Sequence, residues 1–546
     1  MITSSNKPLP TDFDVIVIGG GHNGLTCACY LAQGGRRVLV LERRSIVGGA
    51  AVTEEFAPGF RNSTASYTVS LLNQKVIKDL KLAEHGLQIL ERPMQNFLPL
   101  PNGDSFSAGP NTQATIAELR RYSIRDADRL PLFYALLERA VKLLRGMLMR
   151  VPPTDLKRFG DLWEALRFGH ELRALPLAIQ AELHEFFTRS AGEILDHWFE
   201  TDAIKALFGF DSVVGSFASP YTPGSGYVLL HHAFGEVNGK SGVWGHAAGG
   251  MGSITQAMAQ EARRLGVQIE CDAGVRRIIT TRYAGIPAKR ARATGVELED
   301  GRIFQAPVLA SNLGPKSLFL SLLEPSDLPE NFLRQIQKFR VASATFRMNV
   351  ALSELPKFTS QPSRRDTLHL SAGIIMAPSL TYMDHAYAEA RLYGISRSPI
   401  IEMLIPSTLD DSLAPPGLHV ASLFCQHFNY QLPNGRSWND AIERQSAIDL
   451  VLNTVNNYAP NFRQSLLGHS ALSPLDLEKI FGLAGGDIFH GSLGLDQLWA
   501  ARPALGYGDY RTPVAGLYLC GSGAHPGGGV TGLPGHNAAK IILRTT

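Results

Sequence analysis

A glycine-rich segment near the start of the chain has the residue types that bind a diphosphate. Gly19-Gly20-Gly21-His22-Asn23-Gly24 fits the pattern G-x-G-x-x-G between a predicted strand, 13–18, and a predicted helix, 23–33. The first glycine permits a tight turn, the second lets the backbone approach a pyrophosphate, and the third lets helix and strand pack closely. The positive end of the helix dipole attracts the phosphates. The segment therefore predicts a dinucleotide site.

An acidic residue stands where such a site binds ribose. Glu42 follows the second predicted strand, 38–41, and lies eighteen residues after Gly24. A carboxylate here accepts hydrogen bonds from the ribose hydroxyls, and its charge disfavours the 2′-phosphate of NADP. Strand, glycine loop, helix, strand and acid within about thirty residues predict a βαβ dinucleotide-binding unit. At this point NAD and FAD both remain open.

Two further glycine-rich segments favour FAD. Arg43 is followed by Gly48-Gly49-Ala50, in the position where flavoproteins of the glutathione-reductase-like type carry a paired glycine. Near the other end of the chain, a predicted strand leads into a glycine-rich loop within 517–532. Backbone amides of such a loop can approach a flavin diphosphate, ribityl chain or ring edge without obstruction by side chains.

Together these segments resemble the phytoene desaturase and carotenoid isomerase family of flavoproteins over nearly the whole chain. The segments that carry the resemblance are 21–24, 48–55, 222–232, 249–252 and 520–529. The resemblance implies an α/β fold: a discontinuous, glutathione-reductase-like FAD-binding Rossmann domain with a mixed α+β substrate domain and a helical cover. It also implies FAD as the cofactor. The predicted cofactor-binding residues are Gly19, Gly21, His22, Asn23, Gly24, Glu42, Arg43, Gly48, Gly49, Ala50, Val275, Gly521, Ser522, Gly528, Gly529 and Val530.

The sequence departs from that pattern at one position. Many flavoproteins of this broad type carry an acidic residue after the glycine that ends the last strand, and here that residue is Ser522. The corresponding cofactor contact would then be weaker or come from the backbone. The pattern G-x-G-x-x-G occurs again at 527–532, in the C-terminal loop already assigned to the flavin, so it gives no sign of a separate NADPH site.

The order of strand and helix patterns predicts two interleaved domains. We expect an FAD-binding domain from 11–90, 241–315 and 496–546, and a substrate-binding domain from 91–240 and 316–495. The helix-rich segment of about 125–215 is interpreted as a lid. Within it, packing on the core is favoured over membrane contact for one helical face. That face consists of Leu132, Leu136, Ala140, Leu143 and Met147.

Two polar side chains are candidates for catalysis, each with a structural alternative. His525 lies in the second glycine-rich loop, and it either faces the flavin ring or fixes the loop. Tyr67 lies downstream of the paired glycines and either lines the substrate side or is packed in the core. The pair His231-His232 has no acidic or cysteine neighbours at metal-ligand spacing, so we predict no metal site.

Three functions fit these features. We favour an FAD-dependent oxidoreductase of the desaturase, dehydrogenase or isomerase type, acting on an apolar, polyene- or lipid-like substrate with oxygen or a quinone as electron acceptor. The first alternative is a flavin amine oxidase, which uses the same architecture. The second is a flavin-binding regulatory protein that acts through a protein partner. Fold-level resemblance alone does not choose among them.

Composition excludes other classes. The chain has 546 residues and a net charge of +3, with acidic and basic residues mixed along it, so we expect no nucleic-acid partner. Five cysteines without metal-ligand spacing favour a reducing compartment. Residues 1–12 lack the pattern of a signal or transit peptide, and no apolar segment reaches the roughly 18 residues of a membrane span. We expect a cytoplasmic protein, with peripheral membrane association as an alternative and a mitochondrial location if the source is eukaryotic.

Overall fold

The computed structural model of the protein describes residues 12–282, 291–360 and 367–545. Residues 1–11 and 546, which include both outer ends of the predicted FAD-binding domain and most of the segment searched for a leader, lie outside the described residues. The strands are β1 (Val15–Ile18), β2 (Val38–Leu41), β3 (Thr53–Ala57), β4 (Phe60–Ser63), β5 (Ile89–Glu91), β6 (Asn96–Pro99), β7 (Ser105–Ala108), β8 (Glu236–Val237), β9 (Lys240–Ser241), β10 (Gly245–Ala247), β11 (Gln268–Glu270), β12 (Val275–Arg282), β13 (Ala291–Leu298), β14 (Ile303–Gln305), β15 (Val308–Ser311), β16 (Thr345–Leu352), β17 (Gly373–Met376), β18 (Ile395–Leu404), β19 (His419–Phe428), β20 (Leu466–Leu472) and β21 (Leu517–Leu519). The α-helices are α1 (His22–Gln33), α2 (Gln74–Asp79), α3 (Thr112–Leu119), α4 (Ile124–Leu148), α5 (Phe159–Arg173), α6 (Leu177–Thr188), α7 (Ala191–Trp198), α8 (Asp202–Asp211), α9 (Ser225–Ala233), α10 (Gly252–Arg264), α11 (Pro315–Ser321), α12 (Glu330–Lys338), α13 (Leu380–Tyr393), α14 (Ala441–Tyr458), α15 (Pro474–Phe481) and α16 (Leu533–Thr545).

A five-stranded parallel sheet forms the centre of the first core. Its order is β11-β2-β1-β15-β21, and every neighbouring pair is parallel. β1 and β2 have the sequences VIVI and VLVL, and all of these residues are buried. Continuous apolar strands are typical of a parallel sheet with helices on both faces. The helices α1, α10 and α16 pack in this core.

Parallel strands end at one edge of this sheet, and that edge positions the site. Gly19 follows β1, Asn312 follows β15, and Cys520 follows β21. In open α/β sheets, ligands bind in the crevice outside the carboxyl ends of the strands. The two glycine-rich loops of the sequence therefore leave the same sheet edge, although they lie at opposite ends of the chain.

A second, seven-stranded sheet is mixed. Its order is β20-β16-β19-β18-β17-β6-β7, with a parallel pair only between β17 and β6 among the described strands. One face is apolar and packs against α14, with Met348, Leu423, Met403 and Ile374 in a row across four strands. The opposite face packs partly against α4, α7, α8 and α9. That second face also carries charged residues.

The predicted face of α4 packs in one buried cluster with α7, α8 and α9, except at its first residue. Leu136 and Ala140 are buried, and Leu143 and Met147 are partly buried against the cluster, but Leu132 is 60% exposed. The buried face also includes Phe133 and Leu137. α4 carries further apolar residues beside the five predicted ones. Periodicity alone does not choose between two neighbouring apolar faces of one helix, so the sequence did not predict the exposure of Leu132. None of the fifteen residues of α5 is buried.

The first core extends past the predicted domain boundary at 315. Leu318 and Phe319 of α11, and Phe332 and Ile336 of α12, belong to the same buried cluster as the parallel sheet. Phe319 and Phe332 meet edge to face, with ring centroids 4.8 Å apart. No helix of the described residues is long and apolar enough to cross a membrane.

Candidate cofactor and substrate site

A cavity of about 480 Å³ lies at the carboxyl edge of the parallel sheet. This volume falls within the roughly 300–1,000 Å³ of ligand cavities. Residues from both ends of the chain line it, so the structure brings together backbone that the sequence separates by about five hundred residues. The predicted cofactor-binding residues that line it are Gly19, Gly21, His22, Asn23, Glu42, Arg43, Gly49, Ala50, Val275 and Ser522.

The first glycine loop meets the start of α1 at this cavity. Gly21 is the N-cap of α1, which has no side-chain cap and no acidic residue in its first turn. The partial positive charge of this helix end is thus left for a ligand. A Cβ on Gly21 would lie 2.7 Å from Asn312 Nδ2, and a Cβ on Gly24 would collide with the carbonyl oxygen of Gly19. Gly24 does not line the cavity; it permits α1 to pack against the loop.

Glu42 lines the cavity and is only 7% exposed. Its Oε2 accepts a hydrogen bond of 2.8 Å from the Gly20 amide, and its Oε1 accepts one of 2.9 Å from the Arg44 amide. These two bonds fix the carboxylate at the end of β2. An ionised carboxylate offers about four lone-pair sites, so acceptor capacity remains for ribose hydroxyls.

Arginine side chains tie the rim of the cavity to the second domain. Arg43 Nη2 donates to the carbonyl oxygens of Lys479 and Ile480, at 3.0 and 2.9 Å. The Arg44 guanidinium lies over the Phe481 ring, 5.1 Å from its centroid. Arg43 therefore both lines the cavity and connects its wall to α15 through these hydrogen bonds.

The paired glycine adopts backbone conformations that other residues rarely adopt. Gly48 and Gly49 have φ values of 132° and 57°. The Gly48 amide donates to the Gly20 carbonyl at 2.9 Å, so the pair is held beside the first glycine loop. Gly48 itself supports the wall, whereas Gly49 and Ala50 line the cavity.

The second glycine loop is held by one buried arginine. Arg502 is fully buried, and its Nε and Nη2 donate to the Ser522 carbonyl at 3.1 and 2.8 Å. Further bonds run from the same guanidinium to the carbonyls of Phe489 and Gln497, at 2.8 and 3.2 Å. Arg502 therefore holds Ser522 through its backbone carbonyl. The Ser522 hydroxyl separately accepts a hydrogen bond from Asn23.

The rest of the second loop lies away from this cavity. Gly521 supports the wall, because a Cβ there would collide with the Asn312 carbonyl oxygen. Gly528 lines a separate cavity of about 250 Å³, and a Cβ on Gly529 would lie 2.5 Å from Leu71 Cδ1. Val530 has a φ of 58°, an unusual conformation for a β-branched residue.

Half-buried histidines with buried, unpaired nitrogens mark the polar part of the cavity. His22 Nε2 and His490 Nδ1 lack a hydrogen-bond partner among the described residues, as does Asn23 Oδ1. Burial, with a smaller effect of His490, lowers the pKa of His22 to about 3. Burial and the nearby Arg502 lower the pKa of His490 to about 4. Both imidazoles are therefore neutral at pH 7, and each offers a hydrogen bond to a ligand.

Several cavity-lining residues were missed from the sequence. Asn312 follows β15, so the rule that ligands bind beyond strand carboxyl ends could have found it. Arg276 directly follows Val275, a predicted cofactor-binding residue. The remaining residues come from distant parts of the chain and had no sequence signal. The missed residues include Asn312, Arg276, Glu299, Phe481, Leu483 and His490.

The two predicted catalytic residues lie in different surroundings. His525 does not line the 480 Å³ cavity. Its Nε2 is 3.1 Å from the Met147 carbonyl and its ring meets Trp499 edge to face, while burial lowers its pKa to about 4. Tyr67 donates a 2.5 Å hydrogen bond to Glu402 on the second sheet, and burial raises the pKa of Tyr67. The surroundings of His525 agree with the loop-fixing alternative.

The residues present fit a flavin dinucleotide. The cavity joins an uncapped helix N-terminus, a glycine-lined approach, a buried carboxylate and unpaired buried polar atoms. A larger cleft of about 830 Å³ lies at the amino end of β21, lined by Arg158, Asp327, Asp509 and Arg511 among others. None of the predicted site residues lines that cleft, so size alone does not identify the site.

Comparison with known proteins agrees with this geometry. A family model described as FAD dependent oxidoreductase matches residues 14–385. The mouse protein named pyridine nucleotide-disulfide oxidoreductase domain-containing protein 2 is 39% identical, over 99% of this chain and 95% of that protein. One of the subunits of limonene dehydrogenase from Castellaniella defragrans is 26% identical, over 97% of this chain and 94% of that protein. Prolycopene isomerase 2 of an Oncidium hybrid cultivar is 23% identical, over 95% of this chain and 81% of that protein.

Among solved structures, wild-type putrescine oxidase bound to putrescine has a TM-score of 0.58 with 16% identity. The match covers 98% of this chain and 99% of that one. At this identity the similarity is one of fold, an α/β architecture that includes mixed sheets and helices.

Proposed function

We propose that this chain, which belongs to the FAD-dependent oxidoreductase family, binds FAD in the 480 Å³ cavity and oxidises an apolar, polyene- or lipid-like substrate. FAD is the cofactor of this family, and when bound it accepts a hydride and passes electrons to an acceptor. The observation that carries the proposal is the meeting of both glycine-rich loops at that cavity. In finer detail, we propose a glutathione-reductase-like FAD domain with the segment boundaries expected from the sequence, except that its second segment extends past 315 to include α11 and α12.

The roles of the chain's own residues follow from their positions. The α1 N-terminus with Gly19 and Gly21 would hold the diphosphate, and Glu42 would orient a ribose. The neutral His22 would complete the polar wall. These residues position and desolvate the cofactor, and none of them needs to move a proton.

An apolar substrate is supported by the second cavity. The lining of the 250 Å³ cavity beside the second glycine loop includes Leu71, Leu148, Met149 and Phe234, together with Gly528. This apolar part of the lining suits a hydrocarbon chain. Two relatives are named for terpenoid substrates, limonene and prolycopene. We propose oxygen or a quinone as the acceptor.

A membrane contact is proposed through α5 rather than α4. Phe159, Leu162, Trp163 and Leu166 recur at helical spacing and are 82%, 41%, 62% and 60% exposed. An exposed apolar stripe with an aromatic residue is typical of helices that lie at a membrane surface. Such a surface would supply a lipid-soluble substrate to the helical cover.

Anaerobic reduction tests the function. The purified protein should show a flavin spectrum, and at least one apolar polyene, a carotenoid or retinoate, should bleach it, whereas putrescine should not. Bleaching by putrescine alone would replace the proposal with amine oxidation. A flavin that none of these compounds reduces, together with a stable protein partner, would favour a regulatory role. Failure to bind FAD would contradict the proposal, because every step of it requires the cofactor.

A further inference from the structure

Two arginine side chains are buried on the helix-facing side of the seven-stranded sheet. Arg92 is 6% exposed and Arg347 is 2% exposed. Arg92 Nη2 donates to the Thr68 hydroxyl, and Arg347 Nη2 donates to the Ser422 hydroxyl at 2.6 Å. Neither guanidinium forms an ion pair with a carboxylate in the described part of the chain. A buried charge without a partner is costly, so this arrangement calls for an anion.

Arg347 has unused donors in this buried setting. Its Nε and Nη1 have no hydrogen-bond partner among the residues that the structure describes. The guanidinium lies over the ring of Tyr67, with Cζ 4.4 Å from the ring centroid. Tyr67 in turn stacks on Phe424, with centroids 5.3 Å apart. The aromatic contacts fix the guanidinium but do not satisfy its N–H groups.

The one carboxylate deeply buried beside the arginines is already engaged. Glu402 is 5% exposed and accepts the hydrogen bond of Tyr67. Burial raises the pKa of Glu402, while Arg92, Tyr67 and Arg347 oppose that rise. Burial, with a smaller effect of Glu402, raises the pKa of neighbouring Asp211 to about 8. Among the described residues, the two arginines therefore face Glu402 and, at pH 7, a largely protonated Asp211, which leaves the cluster with an excess of positive charge.

The cluster is connected to the cofactor cavity through the sheet and through the chain. Leu472, Arg347, Phe424 and Glu402 stand opposite one another on four adjacent strands. Leu472 packs with residues that line the cofactor cavity, Phe481 and Leu483 among them. Ser66, the residue before Tyr67, is held beside the cofactor cavity, because its amide donates a 2.9 Å hydrogen bond to the carbonyl of Ala50, which lines that cavity.

The same segment leads to the 250 Å³ cavity beside the second glycine-rich loop. Tyr67 and Thr68 belong to the charged cluster, and the next residues along the chain, Ser70, Leu71 and Leu72, line the 250 Å³ cavity. Five residues span at most about 17 Å when extended. Leu71 also lies against Gly529 of the second glycine loop. A molecule that reached from the arginines to this cavity would pass that loop.

We propose that Arg347 and Arg92 bind the carboxylate end of an amphipathic substrate whose apolar chain extends along residues 67–72 into the 250 Å³ cavity. This inference rests on the proposed function and names its substrate class: a carboxylic acid with an apolar chain, in contrast to a pure hydrocarbon. Guanidinium groups match carboxylate geometry and remain charged when buried. Arg92 and Tyr67 together line two small spaces of about 10 and 20 Å³.

All-trans-retinoate and its methyl ester test this assignment, because they differ chiefly in the charge of one end. Binding to the FAD-loaded protein is measured by quenching of protein fluorescence. We expect retinoate to bind at least about tenfold more tightly than the ester. Arg347→Gln should remove that preference and retain FAD. Arg397→Gln, whose side chain is 77% exposed, should keep both the preference and the flavin.

Four results would overturn the assignment. These are equal affinity of wild type for acid and ester, no binding of either, a preference that survives in Arg347→Gln, and loss of FAD from that variant. The last result would make Arg347 a cofactor residue. If Arg347→Gln does not fold, Arg92→Gln takes its place under the same criteria. The fluorescence measurement does not require bound flavin. A protein that bound retinoate but no FAD would contradict the proposed function and leave the carboxylate site standing, so the two failures can be told apart.

Discussion

Asn23 Nδ2 donates a 3.0 Å hydrogen bond to Ser522 Oγ, although 499 residues separate the two along the chain. Asn23 is 1% exposed and Ser522 is 3% exposed, so water does not compete for this bond. Asn23 lies in the first turn of α1, and Ser522 follows the last strand of the parallel sheet. The bond therefore joins the two glycine loops where both face the proposed cofactor cavity.

Breaking this bond should weaken FAD binding without unfolding the protein. Asn23→Ala and Ser522→Ala should each raise the Kd for FAD about fivefold, which corresponds to about 1 kcal/mol for one buried hydrogen bond. The double variant should be little worse than the worse single variant, because both remove one interaction. Fluorescence titration of the apoprotein with FAD measures all four proteins. Strictly additive losses would show that the two side chains act independently.

Reversing the charge of Glu42 should remove most of the flavin. Glu42→Arg eliminates the acceptor at the end of β2 and leaves the amides of Gly20 and Arg44 without their partner. The ratio of flavin to protein absorbance after purification is the measurement. Glu330→Arg makes the same change at a side chain that is 83% exposed, and it should keep its flavin. Normal flavin content in Glu42→Arg would remove Glu42 from the cofactor site.

Backbone-level features could be predicted from the sequence. The family is confirmed by the comparisons, and FAD is confirmed as its cofactor. β2 begins and ends where the sequence predicted, and α1 begins one residue earlier than predicted. These features succeed because strand hydropathy and glycine requirements are local properties of a few consecutive residues.

Features that depend on packing between distant segments were not predictable. The exposure of Leu132 shows that the orientation of α4 depends on its neighbours as well as on its own stripe. Phe481 and His490 reach the cavity only because of tertiary packing. Tyr67 was predicted either to line the substrate side or to pack in the core. Its hydrogen bond to Glu402 had no sequence signal, since 335 residues separate them. Its catalytic role, like that of His525, stays a prediction.

Arg502 should be essential for the second glycine loop. Burial lowers its pKa to about 10, which leaves it charged at pH 7, and its guanidinium bonds to several backbone carbonyls. Arg502→Met should reduce the free energy of unfolding by about 3 kcal/mol or more, because those carbonyls stay buried without a donor. Arg397→Met is the exposed control. Urea unfolding measures both, and equal stability of the two variants would contradict this role.

Buried neutral histidines should make the protein sensitive to acid. His427 is fully buried against Phe217 and Tyr387, and burial lowers its pKa to about 3. An unfolded histidine has a pKa of about 6.5, so below that pH the unfolded chain binds the extra proton. Each such histidine then lowers the free energy of unfolding by up to about 1.4 kcal/mol per pH unit, from pH 6.5 down towards 3.

Replacing His427 should reduce the pH dependence of the free energy of unfolding by the contribution of one histidine. Both of its ring nitrogens lack a partner among the described residues, so His427→Phe leaves no donor or acceptor stranded by the change. Urea unfolding of wild type and His427→Phe at pH 7.5, 6.0 and 5.0 should give curves that diverge as the pH falls. His184→Phe, at an exposed position, is the control. Parallel pH profiles for wild type and His427→Phe would refute this explanation.

The exposed stripe of α5 should bind lipid. Phe159→Ser combined with Trp163→Ser removes the two aromatic side chains, and each fully buried aromatic contributes on the order of 2 kcal/mol through its apolar area. We expect cosedimentation with phosphatidylcholine–phosphatidylglycerol vesicles to fall at least about tenfold, with the flavin spectrum unchanged. Leu392→Ser, which changes a 67% exposed residue on α13, should bind vesicles like wild type. Equal loss in the double variant and the Leu392 control would indicate nonspecific adsorption, and no vesicle binding by wild type would end the membrane proposal.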